Sequence, residues 1–179
     1  MKVSDIILDS LDRVHELVPA ILDGLSLDDV VWQPDEGSNS IGWLIWHLTR
    51  VEDDHMAGIG GLPQLWLPLW HSRFGLPYPP RAHGYGMTSA DIAAFCVPSV
   101  KLLVDYADAV ANQTRQIIAT MKPTDFNRIV DSNYDPPVTA AVRLVSVMVE
   151  TAQHIGQAGF VRGLRERKIG RESSWVGHV

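Results

Sequence analysis

Glu150 and His154 stand four residues apart in VETAQHIGQ, residues 149–157. Four residues make about one helical turn, so the two side chains share a helix face with Cβ atoms about 5–6 Å apart. A carboxylate and an imidazole so placed either hydrogen-bond to each other at a helix surface or ligate a cation with help from elsewhere. A carboxylate at the border of a core is costly unless it is paired or binds a metal. The further ligand would come from WLIWHLTRVEDDH, residues 43–55, which carries His47 and His55, with Asp54 seven residues after His47. His47 falls at the edge of an apolar face, between the turns of Leu44 and Val51. His55 is more central on that face but close to the helix end. A lone histidine on such a face is otherwise a satisfied core residue. Two imidazoles and one carboxylate, with positions left open, form a donor set of catalytic zinc; nickel and non-haem iron also suit it. No residue is assigned a catalytic role from the sequence.

These residues need elements to position them. Apolar residues recurring at threes and fours predict four helices. The first runs from Ser4, read as its N-cap, to Leu25, with Ile7, Leu11, Val14, Val18 and Ile21 inward. The second starts at the cap Ser40 and ends before the glycines of GIGG, residues 58–61. The third starts at Thr88 or Ser89, is jogged at Pro98 and continues to about Met121. The fourth starts with Pro137 as its first residue and frays near Gly163 to Gly170. Its inward seam is read as Val138, Val142, Val145, Val149, Ala152 and Gly156. Glu150 and His154 then lie about 100° from that seam, bordering the core.

Between the second and third helices, residues 59–87 hold five prolines, which exclude a long helix. Trp66, Trp70, Phe74, Tyr78 and Tyr85 make this segment a packed lid or wall rather than a disordered loop. GYG at 84–86 reads as a turn. The connector KPTDFNRIVDSNYDPP accommodates short extended pieces. The expected architecture is all-α: a four-helix bundle with a long aromatic- and proline-rich loop between helices two and three. It forms a single domain over 1–179, with its core at about 4–165 and a tail at 166–179 that is loose or docks through Trp175.

Composition narrows the function classes. Of the 179 residues 46% are hydrophobic and 20% charged, which is globular rather than disordered. The net charge of −6 lacks the basic footprint of a nucleic-acid binder. The cluster Arg162, Arg165, Arg167, Lys168 and Arg171 reads as a solvated helix end. No apolar run approaches the ~20 residues of a membrane helix, and Asp5, Asp9 and Asp12 interrupt any leader-like stretch. A single cysteine, Cys96, permits no internal disulfide and fits a reducing cytoplasm; it reads as a buried, inert thiol. No phosphate-binding glycine motif is present. Arg50 is placed at the surface, with contact to an anionic substrate as the alternative, and Gln153 and Gln157 flank the Glu-His pair as hydrogen-bonding neighbours. Trp32, Trp46 and the aromatic loop carry more apolar surface than one bundle needs, so a homodimer is expected.

SNSIGWLIWHLTRVEDDH and VETAQHIGQAGFVRGL, with the approach VVWQPDEGSNS, resemble the DinB/YfiT-like superfamily over about residues 5–165. More narrowly they are similar to its actinobacterial domains of unknown function. The resemblance implies a four-helix bundle with a divalent metal at one end. Most members use three histidines. This chain has glutamate at the first position of the terminal pair, a variant shared with the metal-binding domain of mycothiol-dependent maleylpyruvate isomerase. Carried over, the ligands are His47, Glu150 and His154, and Glu52, Asp54 and His55 match no ligand position. The implied activity is a metal-dependent S-transferase acting on a small electrophile with a low-molecular-weight thiol of the mycothiol type, zinc being the first choice of metal. The alternative is a non-catalytic metal- or ligand-binding stress-response protein. The chain lacks the length for the additional C-terminal domain of the isomerase.

Overall fold

The computed structural model describes residues 2–172. Four long helices carry the fold: α1 (Val3–Leu22), α3 (Ile41–Gly60), α6 (Val100–Thr120) and α7 (Ala140–Lys168). They close a ring in which α3 packs on α6 and α7, and α1 packs on the same two helices. Short α2 (Leu27–Val31) leads into α3. The long loop contains a π-helical turn (Trp66–Trp70) running into α4 (His71–Phe74), then α5 (Ser89–Ala93). A 3-10 turn (Pro123–Asn127) precedes a two-stranded antiparallel ladder of β1 (Ile129–Asp131) and β2 (Val138–Thr139), with Ile129 opposite Thr139.

The helix limits follow from capping. α1 begins one residue before Ser4, because Asp5 accepts from the Lys2 N–H at 2.8 Å and closes the first turn there. It stops at Leu22 rather than Leu25, where Gly24 takes a left-handed φ of 70°. Ser40 caps α3 through its Oγ, which accepts from Trp43 N. The helix runs through Gly58–Gly60 instead of ending before them. Gly60 serves close packing: a Cβ there would come within 2.8 Å of Ile117 on α6. Pro98 does more than jog the third helix; it separates α5 from α6, and Ser99 caps the new start. α7 starts not at Pro137 but after Thr139, whose Oγ1 accepts from Val142 N, because Val138 and Thr139 are held in the ladder.

The inward face of α7 differs from the expected one. Val142, Val145 and Val149 are 55%, 58% and 50% exposed, whereas Leu144, Val147, Thr151, Ile155 and Ala158 are buried. Both stripes repeat at threes and fours. The stripe that won contains Thr151 and Arg162, polar residues satisfied inside the fold: Thr151 Oγ1 donates to Val147 O at 2.8 Å, and Arg162 donates to Ala20 O and Ile21 O. The basic cluster is therefore only partly solvated. Arg165 pairs with the buried Asp29 at 2.8 Å and, with Lys168, covers Trp32.

The long loop is a wall of the core. Trp66, Trp70, Phe74, Tyr78 and Phe95 pack with Trp46 and Tyr106. Trp46 is fully buried and Trp32 is covered, so neither supplies the surface expected for a dimer. Cys96 is exposed rather than buried, since its neighbours Phe95 and Val97 take the inward positions. Trp175 lies outside the described residues.

Candidate metal centre

α3 and α7 meet along a seam, and there the structure brings His47, Glu150 and His154 together, their donor atoms all within 4.8 Å of one another. Glu150 Oε1 lies 3.3 Å from His47 Nε2 and 3.1 Å from His154 Nε2. The pair does border the core, but from the flank opposite the exposed valines. Among the described residues this is the group of histidine, cysteine and acidic side chains that could hold a cation. His55 and Asp54 line the adjoining cavity without joining it, and Glu52 is buried elsewhere.

Each imidazole is fixed from behind. His47 Nδ1 bonds to the carbonyl of His83, and its ring stacks on Trp43 at a centroid distance of 4.8 Å. His154 Nδ1 bonds to Gln157 Oε1 at 2.7 Å. Both partners are acceptors, so each ring in its neutral form carries its proton on Nδ1 and presents a lone pair at Nε2. Those lone pairs converge on a carboxylate oxygen that also only accepts. Three acceptors facing one another are stable with a cation between them. Two of the three spacings, 3.1 and 3.3 Å, lie close to the roughly 3.3–3.6 Å edges of a tetrahedral zinc site with ligands about 2.0–2.2 Å from the metal, and the whole group lies within 4.8 Å. Burial above all lowers the pKa of His47, and the nearby His154 lowers it further, against the His83 carbonyl and Glu150.

The loop reaches the centre at Gly84. A Cβ there would sit 2.3 Å from His47 Nδ1, and its φ is 104°, so a side chain is barred twice over. The GYG segment is thus more than a turn: it lets the His83 carbonyl approach the imidazole. The signal for this role in the sequence was a glycine beside a histidine in an aromatic loop, His83–Gly84. Arg50 holds the same segment. It is fully buried, neither at the surface nor on a substrate. Its Nε donates to Ala82 O at 3.3 Å, its Nη2 to Gln64 at 3.1 Å, and its guanidinium lies over Trp66. Asp53 completes the hub by accepting from Leu65 N, Trp66 N and the Tyr106 hydroxyl. Of the two glutamines, Gln157 bonds to the centre, while Gln153 is exposed and bonds to neither histidine.

The profile of one family matches residues 10–158. The chain belongs to the DinB superfamily. A crystal structure of a conserved protein from Enterococcus faecalis is similar to this DinB-superfamily chain, with 31% identity, 96% of this chain and 99% of that one covered, and a TM-score of 0.87. No curated protein sequence matches it. No helix among the described residues is long and apolar enough to cross a membrane.

Beside the centre this DinB-superfamily fold opens a cavity of about 1230 Å³ between α3, the aromatic loop, the β1–β2 ladder and α7. Its volume exceeds the roughly 300–1,000 Å³ of typical small-ligand pockets. His47 and Glu150 both face it, so a ligand in the cavity can reach the centre.

Proposed function

We propose that His47, Glu150 and His154 are the ligands of a divalent metal, zinc by first choice, and that the protein is a metal-dependent S-transferase joining a low-molecular-weight thiol of the mycothiol type to a small electrophile. The observation that carries the reading is the convergence of the His47 and His154 Nε2 atoms on one carboxylate oxygen beside a large cavity. A cation held there would lower the pKa of a thiol entering its open position, so that sulfur reacts as thiolate near neutral pH. The chain's own part is positioning. The His83 carbonyl and Gln157 keep the Nε2 atoms free of protons, Trp43 and Gly84 set the plane of His47, and the aromatic wall excludes water from one side. A reducing compartment such as the cytoplasm suits a thiol-dependent reaction.

The reading includes a homodimer paired through the outward face of α7. Val142, Val145, Val149 and Phe160 are exposed there, and no charged residue interrupts that stripe. Sedimentation showing only monomer at micromolar concentration rejects the pairing.

Two measurements test the function. Purified protein should carry one metal per chain, lost in His47→Ala and His154→Ala; an unchanged metal content in both variants removes the centre. Metal-loaded protein should consume thiol in the presence of electrophiles. Metal binding without thiol consumption at any loading leaves a non-catalytic metal- or ligand-binding protein instead.

A further inference from the structure

The cavity has a second polar end. Arg143 lies seven residues before Glu150 on α7, hence on the same face and roughly 10 Å along the axis. His55 lies eight residues after His47 on α3, and both line the cavity with Arg143. α3 and α7 pack along this seam, and His55 and Arg143 line the same cavity beyond the His47–Glu150–His154 group. The proximity also acts on His55: burial, then the charge of Arg143, hold its imidazole below the ordinary range.

The acidic groups at this end are occupied. Asp131 Oδ1 accepts from Asn133 N and Nδ2, and its Oδ2 accepts from Arg143 Nη2 at 2.7 Å. Asp54 Oδ1 accepts from Gln64 Nε2, and its Oδ2 sits 3.5 Å from His55 Nδ1. Arg143 is not used up. A guanidinium has five N–H donors, and Asp131 takes one of them. Asp131 thereby braces one edge of the fork and leaves the rest for a ligand. The Arg143 side chain is only 17% exposed, so a charge-assisted bond made there is shielded from water.

We infer that Arg143 forms a carboxylate-binding subsite at the His55 end of the cavity, and that the ligand of this cavity is an extended monoanion reaching from Arg143 to the His47–Glu150–His154 centre. Asp131 already offsets one unit of the Arg143 charge, so the remaining N–H donors suit a monoanion better than a phosphate dianion. The reacting end rests on the metal-and-thiol reading above; the anion end does not. The reach separates this ligand from small thiols, because the two ends stand about two helical turns apart.

The test compares 8-mercaptooctanoate with 8-mercapto-1-octanol, which share length and thiol but not charge. Binding is read from the thiolate-to-cobalt charge-transfer band of the cobalt(II)-loaded protein, and octanoate binding to the metal-free protein is read by calorimetry. The carboxylate should bind about tenfold or more tightly than the alcohol, the scale of one shielded bond to a charged group. Arg143→Gln should bring the two to parity and abolish octanoate binding, whereas Arg143→Lys, which keeps the charge but loses the fork, should fall between. Equal binding of acid and alcohol by the native chain, or equal weakening of both in Arg143→Gln, overturns the subsite. If cobalt or thiol does not bind, the metal-and-thiol reading falls and octanoate alone decides: binding that requires Arg143 upholds the subsite, and no binding overturns it.

Discussion

Two histidine–carboxylate clusters are built on α3, and they do opposite things with the same residue types. At the seam with α7, His47 and His154 aim two lone pairs at one oxygen of Glu150, beside a cavity. In the bundle interior, His15 of α1 aims Nε2 at both oxygens of Glu52, at 3.0 and 2.9 Å, and Thr114 of α6 donates to the same carboxylate at 2.6 Å. Every acceptor of the inner cluster faces a donor. Its pKa follows: the Glu52 hydrogen bond and charge raise His15 even though burial, the largest single influence, pulls it down. His47 is lowered. The difference is set by what stands behind each ring. His47 and His154 have acceptors at Nδ1, which sends the proton away from the centre. His15 Nδ1 has no hydrogen-bond partner and lies 3.6 Å from Asp12, so both nitrogens can hold protons. The inner cluster is an ion pair that joins α1, α3 and α6; the outer one is a group whose donor atoms could hold a cation.

The comparison breaks most sharply on metal content. His154→Ala should reduce bound metal from stoichiometric to trace in elemental analysis, because two remaining ligands do not make a site of this kind. His15→Ala should leave the metal content unchanged. If the two variants lose metal alike, the distinction between the clusters is wrong.

Stability should show the reverse order. Glu52→Ala strands a buried imidazolium and a buried hydroxyl, and breaking such a pair costs about 3–5 kcal/mol. Glu150→Ala, at a side chain 37% exposed, should cost less than about 1 kcal/mol in the metal-free protein. Urea unfolding of the two metal-free variants measures both.

Gly84→Ala tests whether the loop belongs to the outer cluster. The added Cβ must displace the His83–Gly84 segment from His47, removing the carbonyl that fixes the ring. Metal affinity should fall about 10–100-fold, as it does when an outer-shell partner is lost. Competition with a chromogenic chelator reads this, and an unchanged affinity would place the loop outside the centre.

How much of this was legible in the sequence follows from what kind of signal each feature leaves. Glu150 and His154 are unusual types at a one-turn spacing, and His47 lies on the apolar face of another predicted helix, so their convergence could be expected. The bundle was legible because four long stripes have no competitor of strand period. The inward face of α7 was not. Its valine stripe is the more apolar to the eye, and the true seam carries Thr151 and Arg162, whose satisfaction depends on Val147, Ala20 and Ile21. Arg50 was misplaced for the same reason: its partners Gln64, Ala82 and Tyr106 come from distant segments. The His83 carbonyl is a backbone group, marked in residue type only by the glycine that follows it. Buried polar residues are read wrongly when their partners are far along the chain, and the hub that positions the centre is made of them.

The smallest expected effect is on pH, and it has opposite signs in the two clusters. A raised folded pKa means that native His15 keeps its proton where the unfolded chain, with an imidazole pKa of about 6.5, has lost it. The stabilisation is then fully present below about pH 6.5 and fades as pH rises through the folded value, with a slope no steeper than about 1.4 kcal/mol per pH unit. The cost of His15→Ala should accordingly be greater at pH 6 than at pH 9. His47 runs the other way. Its lowered pKa means that in acid the unfolded chain binds a proton the native protein refuses, so metal-free native protein loses stability as pH falls below about 6.5. His47→Gln should flatten that acid limb and leave the alkaline limb alone. Denaturation midpoints of the two metal-free variants across this range decide it; limbs that respond in the same direction would mean that both histidines carry protons in the fold, and the outer cluster would then be a second ion pair.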